Sequence, residues 1–264
     1  MPRRPGPTTI TRRTDEGFPR PIPLLTGIEA PRALLEFGAS VASLPLLALA
    51  PRGHGEPVLV LPGLGGGDRS TAPLRWYLGE LGYRPYGWGL GRNVGPNRRI
   101  VEGTEAALRS VAEEHGQPVR LVGWSLGGLY ARELASEMPA LVRQIVTLGS
   151  PHRLFRRERA EDEGDSLTGQ WPEIVDTVVR SYDRVPRATV VPTTAVYSRS
   201  DGVVPWRACL IEPGPSSENV EVFGSHFGYG HNPAVLWVIA DRLAQPADAW
   251  APYRSTPFTW ARAS

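Results

Sequence analysis

Short apolar runs alternate with amphipathic stretches over most of this chain. The run Pro57–Leu61 (PVLVL) is apolar throughout, which is typical of a strand buried on both faces of a sheet. Similar runs predict strands over 83–88, 119–122, 144–148, 188–197 and 219–222. Apolar residues at helical spacing predict helices over 70–81, 98–115, 126–137 and 233–243. This alternation predicts an α/β fold, with a mostly parallel central sheet and helices on both faces.

Two residues mark predicted helix boundaries. Asp68 stands just before the helix at 70–81, where its carboxylate could cap the first N–H groups. Gly116 follows the helix at 98–115 and is expected to end it, because glycine readily takes the left-handed conformation of a helix terminus.

The N-terminal part has a different character. Residues 1–27 are rich in proline and arginine without apolar periodicity, and we expect a flexible arm there. Residues 28–50 follow as an apolar helix, which carries Glu36 and is interrupted by Pro45. The apolar run is too short and broken to span a membrane and starts too late for a secretory signal, so we expect a cytoplasmic protein. The helix is predicted to pack on the domain, with weak contact to a membrane surface as the alternative.

Length favours one domain over residues 28–264, because single α/β domains often reach this size. A polar insertion between about 153 and 187 interrupts the strand and helix pattern, and a helix could form over 172–182. Between two strands of the sheet, such an insertion would form a short cap over the site. Its dense mixed charge is typical of a solvated surface.

Composition excludes several classes of function. The 29 basic and 27 acidic residues nearly balance and form no basic stripe, so nucleic-acid binding is not expected. Cys209 is the only cysteine, so an internal disulfide is impossible. Neither the H-E-x-x-H zinc motif nor the Walker A phosphate loop is present, and we expect neither a metal nor an organic cofactor.

The segment Gly123-Trp124-Ser125-Leu126-Gly127 matches the pattern G-x-S-x-G. A predicted strand ends directly before it and a predicted helix begins directly after it. That context is the one in which a serine is exposed on a sharp turn as a nucleophile. A plain turn between strand and helix is the alternative. A serine hydroxyl reacts at neutral pH only with a base beside it and donors for the oxyanion that it creates.

With its other motifs, the chain resembles the α/β-hydrolase superfamily, and within it the bacterial lipases and esterases, from about residue 56 to 243. The family's landmarks occur here in the family's order. They are Leu61-Pro62-Gly63-Leu64-Gly65-Gly66, Gly123-Trp124-Ser125-Leu126-Gly127-Gly128, Gly149-Ser150-Pro151-His152, Asp201-Gly202-Val203-Val204-Pro205 and Ser225-His226-Phe227-Gly228.

This resemblance implies roles for individual residues. Ser125 would be the nucleophile, His226 its general base and Asp201 the acid that orients the imidazole. The backbone N–H groups of Leu64 and Leu126 would form the oxyanion hole. The chain departs from the family where Pro62 precedes Gly63, since many members have histidine at that position.

Other histidines and carboxylates compete for these roles. His231 lies five residues beyond His226 and is the second candidate for the base, unless it only hydrogen-bonds the start of the helix at 233–243. His152 is expected to support the site. His54 and His115 are expected at the surface. Asp201 could also simply form an Asp-Gly turn. The remaining acidic candidates lie in the insertion: Asp162, Asp165, Asp176 and Asp183.

Ester hydrolysis through an acyl-enzyme is the function that these residues predict. Leu154, Val203 and Phe227, together with Leu64 and Leu126, would line an apolar acyl pocket, although each could equally be a core residue. The substrate would be a small or lipid-like ester. An acyltransferase, an amidase and a binding protein that retains an inactive scaffold stay open. The sequence leaves the oligomeric state undetermined.

Overall fold

The computed structural model describes residues 21–153, 190–246, 249–254 and 262–263 of the chain. At its centre lies a sheet with seven strands among these residues: β1 (Pro57–Leu61), β2 (Arg84–Tyr86), β3 (Val119–Trp124), β4 (Val142–Leu148), β5 (Thr193–Tyr197), β6 (Ser217–Glu221) and β7 (Arg262–Ala263). Their order across the sheet is β2-β1-β3-β4-β5-β6-β7. Strands β1 to β6 pair in parallel, and β7 runs antiparallel to β6. The predicted parallel sheet is therefore confirmed.

The α-helices of the described residues are α1 (Pro23–Gly27), α2 (Glu29–Ala42), α3 (Leu44–Leu47), α4 (Ala72–Glu80), α5 (Arg98–His115), α6 (Leu126–Glu137) and α7 (Pro233–Leu243). Two 3-10 turns, Pro139–Leu141 and Trp206–Cys209, complete the set. Helices α5, α6 and α7 begin and end at their predicted residues. Gly116 ends α5 in the left-handed conformation, as predicted, with φ 60°.

Strand β1 shows how the sheet carries helices on both faces. Leu59 and Leu61 belong to the same apolar cluster as residues of α5 and α6. Val58 and Val60 point the other way and belong to the cluster that α4 and α7 complete. Side chains alternate across a strand, so a strand that is apolar at every position can bury both sets. All five residues of β1 are buried.

Asp68 does not cap a helix, contrary to the prediction. Helix α4 begins only at Ala72, and no side chain caps its N-terminus. The carboxylate of Asp68 instead accepts hydrogen bonds from the backbone N–H groups of Trp88 and Gly89, at 2.9 and 3.2 Å. Asp68 is thus satisfied by the segment that follows β2, twenty residues away along the chain.

The N-terminal region is helical from Pro23 onward. Residues 1–20 of the predicted arm lie outside the described residues, whereas Pro23–Gly27, which the prediction placed in the arm, forms α1. The predicted helix over 28–50 forms α2 and α3. Of the predicted cap insertion, residues 154–187 lie outside the described residues, including the possible helix at 172–182. The insertion follows β4 and precedes β5 in the chain, between two neighbouring strands.

Helix α2 packs on the domain with its polar side inward. Glu29 and Ser40 are buried, at 1% and 6% exposure, although both are polar. Leu34 and Leu35 face outward and are 72% and 74% exposed. This is the reverse of an ordinary surface helix, whose apolar stripe faces the core. Across the residues that the structure describes, no helix combines the length and apolarity that crossing a membrane requires.

Candidate active site

Ser125 lies on a sharp turn between β3 and α6, at the carboxyl edge of the sheet. Its backbone has φ 53° and ψ −119°, and it is the only residue other than glycine with positive φ in the described part of the chain. Its N–H donates to the carbonyl of Leu148 at 2.8 Å, and its own carbonyl accepts from Gly128 N–H at 3.0 Å. The neighbouring strand and helix therefore hold this conformation, which an L-residue rarely adopts.

The glycines around Ser125 are required by close backbone approach. A Cβ at Gly123 would lie 2.4 Å from the Cα of Gly128. A Cβ at Gly127 would lie 2.2 Å from the carbonyl oxygen of Leu61, at the end of β1. These distances are far below van der Waals contact, so a side chain at either position would force the turn to shift. The G-x-S-x-G pattern therefore has a steric cause in this chain.

Asp201 and His226 form a hydrogen-bonded pair at the same edge of the sheet. The Oδ2 atom of Asp201 lies 2.7 Å from Nδ1 of His226. The other oxygen, Oδ1, accepts the backbone N–H groups of Val203 and Val204, both at 2.8 Å. Asp201 follows β5 and His226 follows β6, so the pairing of these two strands brings them together.

Both members of the pair are buried, which gives their charges large effects. Burial by itself lowers the pKa of His226, because a charged imidazolium loses its water. The nearby Asp201 carboxylate, its hydrogen bond and the charge of Glu29 outweigh burial, and the pKa of His226 is raised above its usual value. With Nδ1 directed at Asp201, the neutral ring presents Nε2 as its free basic atom.

Ser125 is connected to the Asp201–His226 pair through its neighbour Trp124 and not by a direct hydrogen bond. Among the described residues, the Ser125 hydroxyl makes no hydrogen bond to His226. The link runs through Trp124, whose indole N–H donates to the backbone carbonyl of His226 at 3.1 Å. In proteins without bound substrate, catalytic hydrogen bonds are often long and tighten only in the complex.

The glycine loop after β1 lies directly beside Ser125. A Cβ built on Gly63 would be 3.1 Å from Cβ of Ser125 and 3.8 Å from its hydroxyl oxygen. Leu64 is the next residue of this loop. Leu126 is the first residue of α6, where a helix leaves its N–H groups without partners inside the helix. Both predicted oxyanion donors thus belong to segments that adjoin Ser125.

Asn93 organises this glycine loop, a role that the sequence did not reveal. It is completely buried, and its side-chain amide donates to the Pro62 carbonyl at 2.9 Å. Its backbone exchanges hydrogen bonds with the loop, accepting from Gly65 N–H and donating to the Gly66 carbonyl, both at 2.7 Å. Pro62 thus accepts this hydrogen bond through its backbone carbonyl.

The remaining histidines have other partners. His152 is buried beside β4, with its Nε2 atom 3.0 Å from the Thr147 hydroxyl, and burial lowers its pKa well below the usual value. His231 does not bond the start of α7, where Asn232 is the cap. Instead Nε2 of His231 lies 2.8 Å from the carbonyl of Ala33 in α2. His54 is exposed, and His115, half-buried, lies against Tyr86.

The predicted acyl pocket is described only in part. Phe227 is 49% exposed, next to His226. Val203 and Leu64 are half-buried and pack against the core cluster on the α5 and α6 face. Leu154 lies outside the described residues. Within the described ranges, no group of three or more histidine, cysteine or acidic side chains is arranged to hold a metal ion.

Two carboxylates of α2 also reach the site, and the sequence did not single them out for it. Glu29 accepts hydrogen bonds from the backbone N–H groups of Gly202 and Phe227, which follow Asp201 and His226 in the chain. Glu36 accepts one from the N–H of Ser225, which precedes His226. The only signal in the sequence was their polarity within an otherwise apolar stretch.

Comparison with known proteins shows which proteins this chain resembles in sequence. No family model matches the chain. A triacylglycerol lipase of Pseudarthrobacter phenanthrenivorans is 30% identical over 138 residues, which are 49% of this chain and 43% of that protein. The chain therefore matches less than half the length of this curated relative.

Solved structures extend the likeness to most of the chain. Aspergillus fumigatus lipase B matches with a TM-score of 0.55 and 15% identity, covering 72% of this chain and 52% of the lipase. An α/β superfamily hydrolase from Oenococcus oeni matches with a TM-score of 0.53 and 15% identity, covering 75% of this chain and 94% of that one. This chain therefore has the α/β-hydrolase fold, and over about half its length it is similar in sequence to a bacterial triacylglycerol lipase.

Proposed function

We propose that this chain is a serine hydrolase that cleaves carboxylic esters, with Ser125 as nucleophile, His226 as general base and Asp201 as the orienting acid. The observation that carries the proposal is the buried 2.7 Å contact between Asp201 and His226 at the sheet edge where Ser125 lies. A turn that only connects a strand to a helix does not require a buried acid–base pair beside it. The strained backbone of Ser125 supports the same reading, because such strain collects at functional sites.

Acylation begins when the Ser125 hydroxyl gives its proton to Nε2 of His226 and its oxygen bonds to the ester carbonyl carbon. The carbonyl oxygen becomes an oxyanion, which the N–H groups of Leu64 and Leu126 stabilise. Each such donor contributes about 3 kcal/mol in the transition state. The carbon–oxygen bond to the alcohol then breaks, and the imidazolium returns its proton to the leaving oxygen.

Deacylation repeats these steps with water in place of the serine. His226 takes a proton from the water, whose oxygen attacks the acyl carbon, and the bond to Ser125 breaks as the proton returns to its oxygen. Asp201 holds the imidazole in the required tautomer and stabilises its charged form throughout.

The substrate class follows from the relatives and from exposed apolar residues. The relatives named above as lipases favour an ester with an apolar acyl chain. Phe227, exposed beside the base, offers apolar contact for such a chain. Weak contact of the region 28–50 with a lipid surface stays a prediction, and the outward-facing Leu34 and Leu35 support it.

The first test is hydrolysis of p-nitrophenyl esters from acetate to palmitate by the wild type, Ser125→Ala and His226→Ala. Both variants are expected to lose activity by on the order of 10⁴-fold or more, because neither half of the nucleophile–base pair works alone. Ser110→Ala and His54→Ala are the matched controls, since both residues are exposed and lie outside the site. Wild-type activity in Ser125→Ala would contradict the serine mechanism.

The alternatives give different outcomes in the same assay. Transfer products in excess of hydrolysis, once alcohols are added, would indicate an acyltransferase. Turnover of amides would indicate an amidase. Failure of a fluorophosphonate probe to label Ser125, together with no turnover of any ester, would indicate a binding protein on the same scaffold.

A further inference from the structure

Helix α2 contacts the backbone on both sides of Asp201. The guanidinium of Arg32 donates to the carbonyl of Ser200 at 2.7 Å. The carboxylate of Glu29 accepts the N–H of Gly202 at 2.7 Å. The peptide groups before and after the acid are therefore both bonded to one helix, about 170 residues earlier in the chain.

The same helix contacts the backbone on both sides of His226. Glu36 accepts the N–H of Ser225 at 2.7 Å, and Glu29 accepts the N–H of Phe227 at 3.1 Å. Glu36 also accepts from the side-chain amide of Asn232 at 3.2 Å. Two carboxylates of α2 thus hold the loop that carries the base.

Glu29 is the residue that joins the two loops. One of its oxygens bonds the residue after Asp201, and the other bonds the residue after His226. Its side chain is almost completely buried, and Arg32 lies 3.5 Å from it. A carboxylate fits this position because both of its oxygens accept, whereas an amide would turn one donor toward a backbone N–H.

Close packing leaves little room for another arrangement. A Cβ at Gly202 would lie 2.8 Å from the Glu29 carboxylate and 2.6 Å from the backbone of Leu25. A Cβ at Gly228 would lie only 1.8 Å from the Glu36 carboxylate. Glycine at these two positions lets α2 approach the acid loop and the base loop closely.

We propose that Glu29 is a positioning residue, which fixes the separation and orientation of Asp201 and His226 by bonding both of their loops with one carboxylate. The proposal rests on the proposed serine-hydrolase function for its kinetic consequences. It also gives a reason for the reversed orientation of α2, since the helix directs its polar side chains at the site. The hydrogen bonds of Glu29 go to Gly202 and Phe227, and none goes to Ser125.

The charged groups around Asp201 and His226 allow the positioning role of Glu29 to be measured through the pKa of His226. Asp201 and Glu29 are the carboxylates that act on His226, and Tyr229 packs edge-on against its ring. Glu29 in turn faces Asp201, His226 and Arg32. Because the charge of Glu29 helps to raise the pKa of His226, its removal must lower that pKa. The base would then stay neutral, and active, to lower pH.

The test compares wild type, Glu29→Gln and Glu29→Asp with p-nitrophenyl butyrate across pH. For Glu29→Gln we expect kcat to fall by about tenfold to a hundredfold with KM near wild type, because misplacement of reacting groups acts on the chemical step. The acidic limb of the kcat profile should move to lower pH. Glu29→Asp keeps the charge but is one carbon too short to reach both loops, so kcat should fall while the limb stays in place.

Glu218→Gln is the matched control. Like Glu29, Glu218 is buried and accepts a backbone N–H, in its case from Tyr253 at 2.7 Å. It lies within β6, before the loop that carries His226. A general loss of stability would lower activity in this variant without moving the acidic limb. The same limb shift in Glu218→Gln as in Glu29→Gln would overturn the proposal.

A second readout does not depend on turnover. The Nδ1 proton of His226, held by Asp201, should give a low-field proton NMR signal in the wild type that weakens or shifts in Glu29→Gln. An unchanged signal and an unchanged limb in Glu29→Gln would overturn the positioning role. If the wild type hydrolyses no ester, that result would contradict the proposed ester hydrolysis but not the positioning role. The NMR signal would still test Glu29.

Discussion

Single residues at this site are held in unusual states by their neighbours. The backbone of Ser125 lies in a region that costs about 1–3 kcal/mol for a residue with a side chain. Hydrogen bonds to Leu148 and Gly128 hold it there. Ser125 is half-buried on this turn.

Asn93 offers a residue-scale prediction about the glycine loop. Its buried amide donates to the Pro62 carbonyl, and its Oδ1 accepts from Gly95 N–H at 3.1 Å and from the Tyr130 hydroxyl at 3.2 Å. Asn93→Ala is expected to lower the free energy of unfolding by about 1–3 kcal/mol, since buried polar groups lose their partners. It should also lower kcat more than it raises KM, because the loop carries Leu64, whose N–H is the proposed oxyanion donor. Urea denaturation and ester kinetics measure the two effects.

Two variants separate these effects. Asn93→Asp keeps the acceptor for Gly95 and Tyr130 but removes the donor to the Pro62 carbonyl, so it isolates that one contact. Gln117→Ala, at an exposed amide, serves as the control that should leave both quantities unchanged. Full activity in Asn93→Ala would show that the loop holds its shape without this residue.

At the scale of elements, α6 meets β1 so closely that one methyl group decides the packing. A Cβ at Gly127 would lie 2.2 Å from the backbone of Leu61, whereas a Cβ at Gly38 in α2 would meet nothing within 4 Å. Gly127→Ala should lower the free energy of unfolding by about 1–3 kcal/mol and reduce activity, because the turn that carries Ser125 must shift.

Gly38→Ala makes the same chemical change where space is open. It should raise the free energy of unfolding by about 0.5–1 kcal/mol, since alanine restricts the unfolded chain and favours helix. Activity should be unaffected. Thermal or urea unfolding of the two variants beside wild type tests the pair, and equal effects would mean that steric contact at Gly127 is unimportant.

At the scale of the whole molecule, buried histidines make stability depend on pH. His152 has a pKa well below its ordinary value of 6.5 because burial excludes its charged form, and no described group pairs with its Nδ1 atom. The unfolded chain therefore binds a proton that the folded one does not. Stability from this residue is complete above pH 6.5 and is lost progressively as the pH falls below it.

The variant His152→Gln should weaken this dependence. Between pH 6.5 and 5.5 the wild type should lose on the order of 1 kcal/mol more than the variant in the free energy of unfolding. His226 acts in the opposite direction, because its raised pKa contributes stability at low pH that is lost on passing above that pKa. Taking the difference between wild type and variant at each pH removes the His226 contribution. Parallel curves would contradict the assignment to His152.

The sequence alone determined the frame of this protein and the order of its motifs. Helices α5, α6 and α7 lie where apolar spacing predicted them, because periodicity and local capping act over a few residues. The glycines of the serine turn were readable for the same reason, since backbone sterics are local. The parallel sheet with helices on both faces followed from the alternation of these elements.

Only the tertiary structure decided which partners distant polar groups take. Glu29 meets Gly202 and Phe227 across 173 and 198 residues, and Asp68 meets Trp88 rather than a helix end. His231 turned to the carbonyl of Ala33 in the same way. Hydrogen bonds of this kind depend on which loops the packing of the fold brings together. The pattern of apolar and polar residues along the chain does not show which distant loops will meet. The reversed face of α2 is the clearest case, because its polar side chains bond loops that fold against it from the far end of the chain.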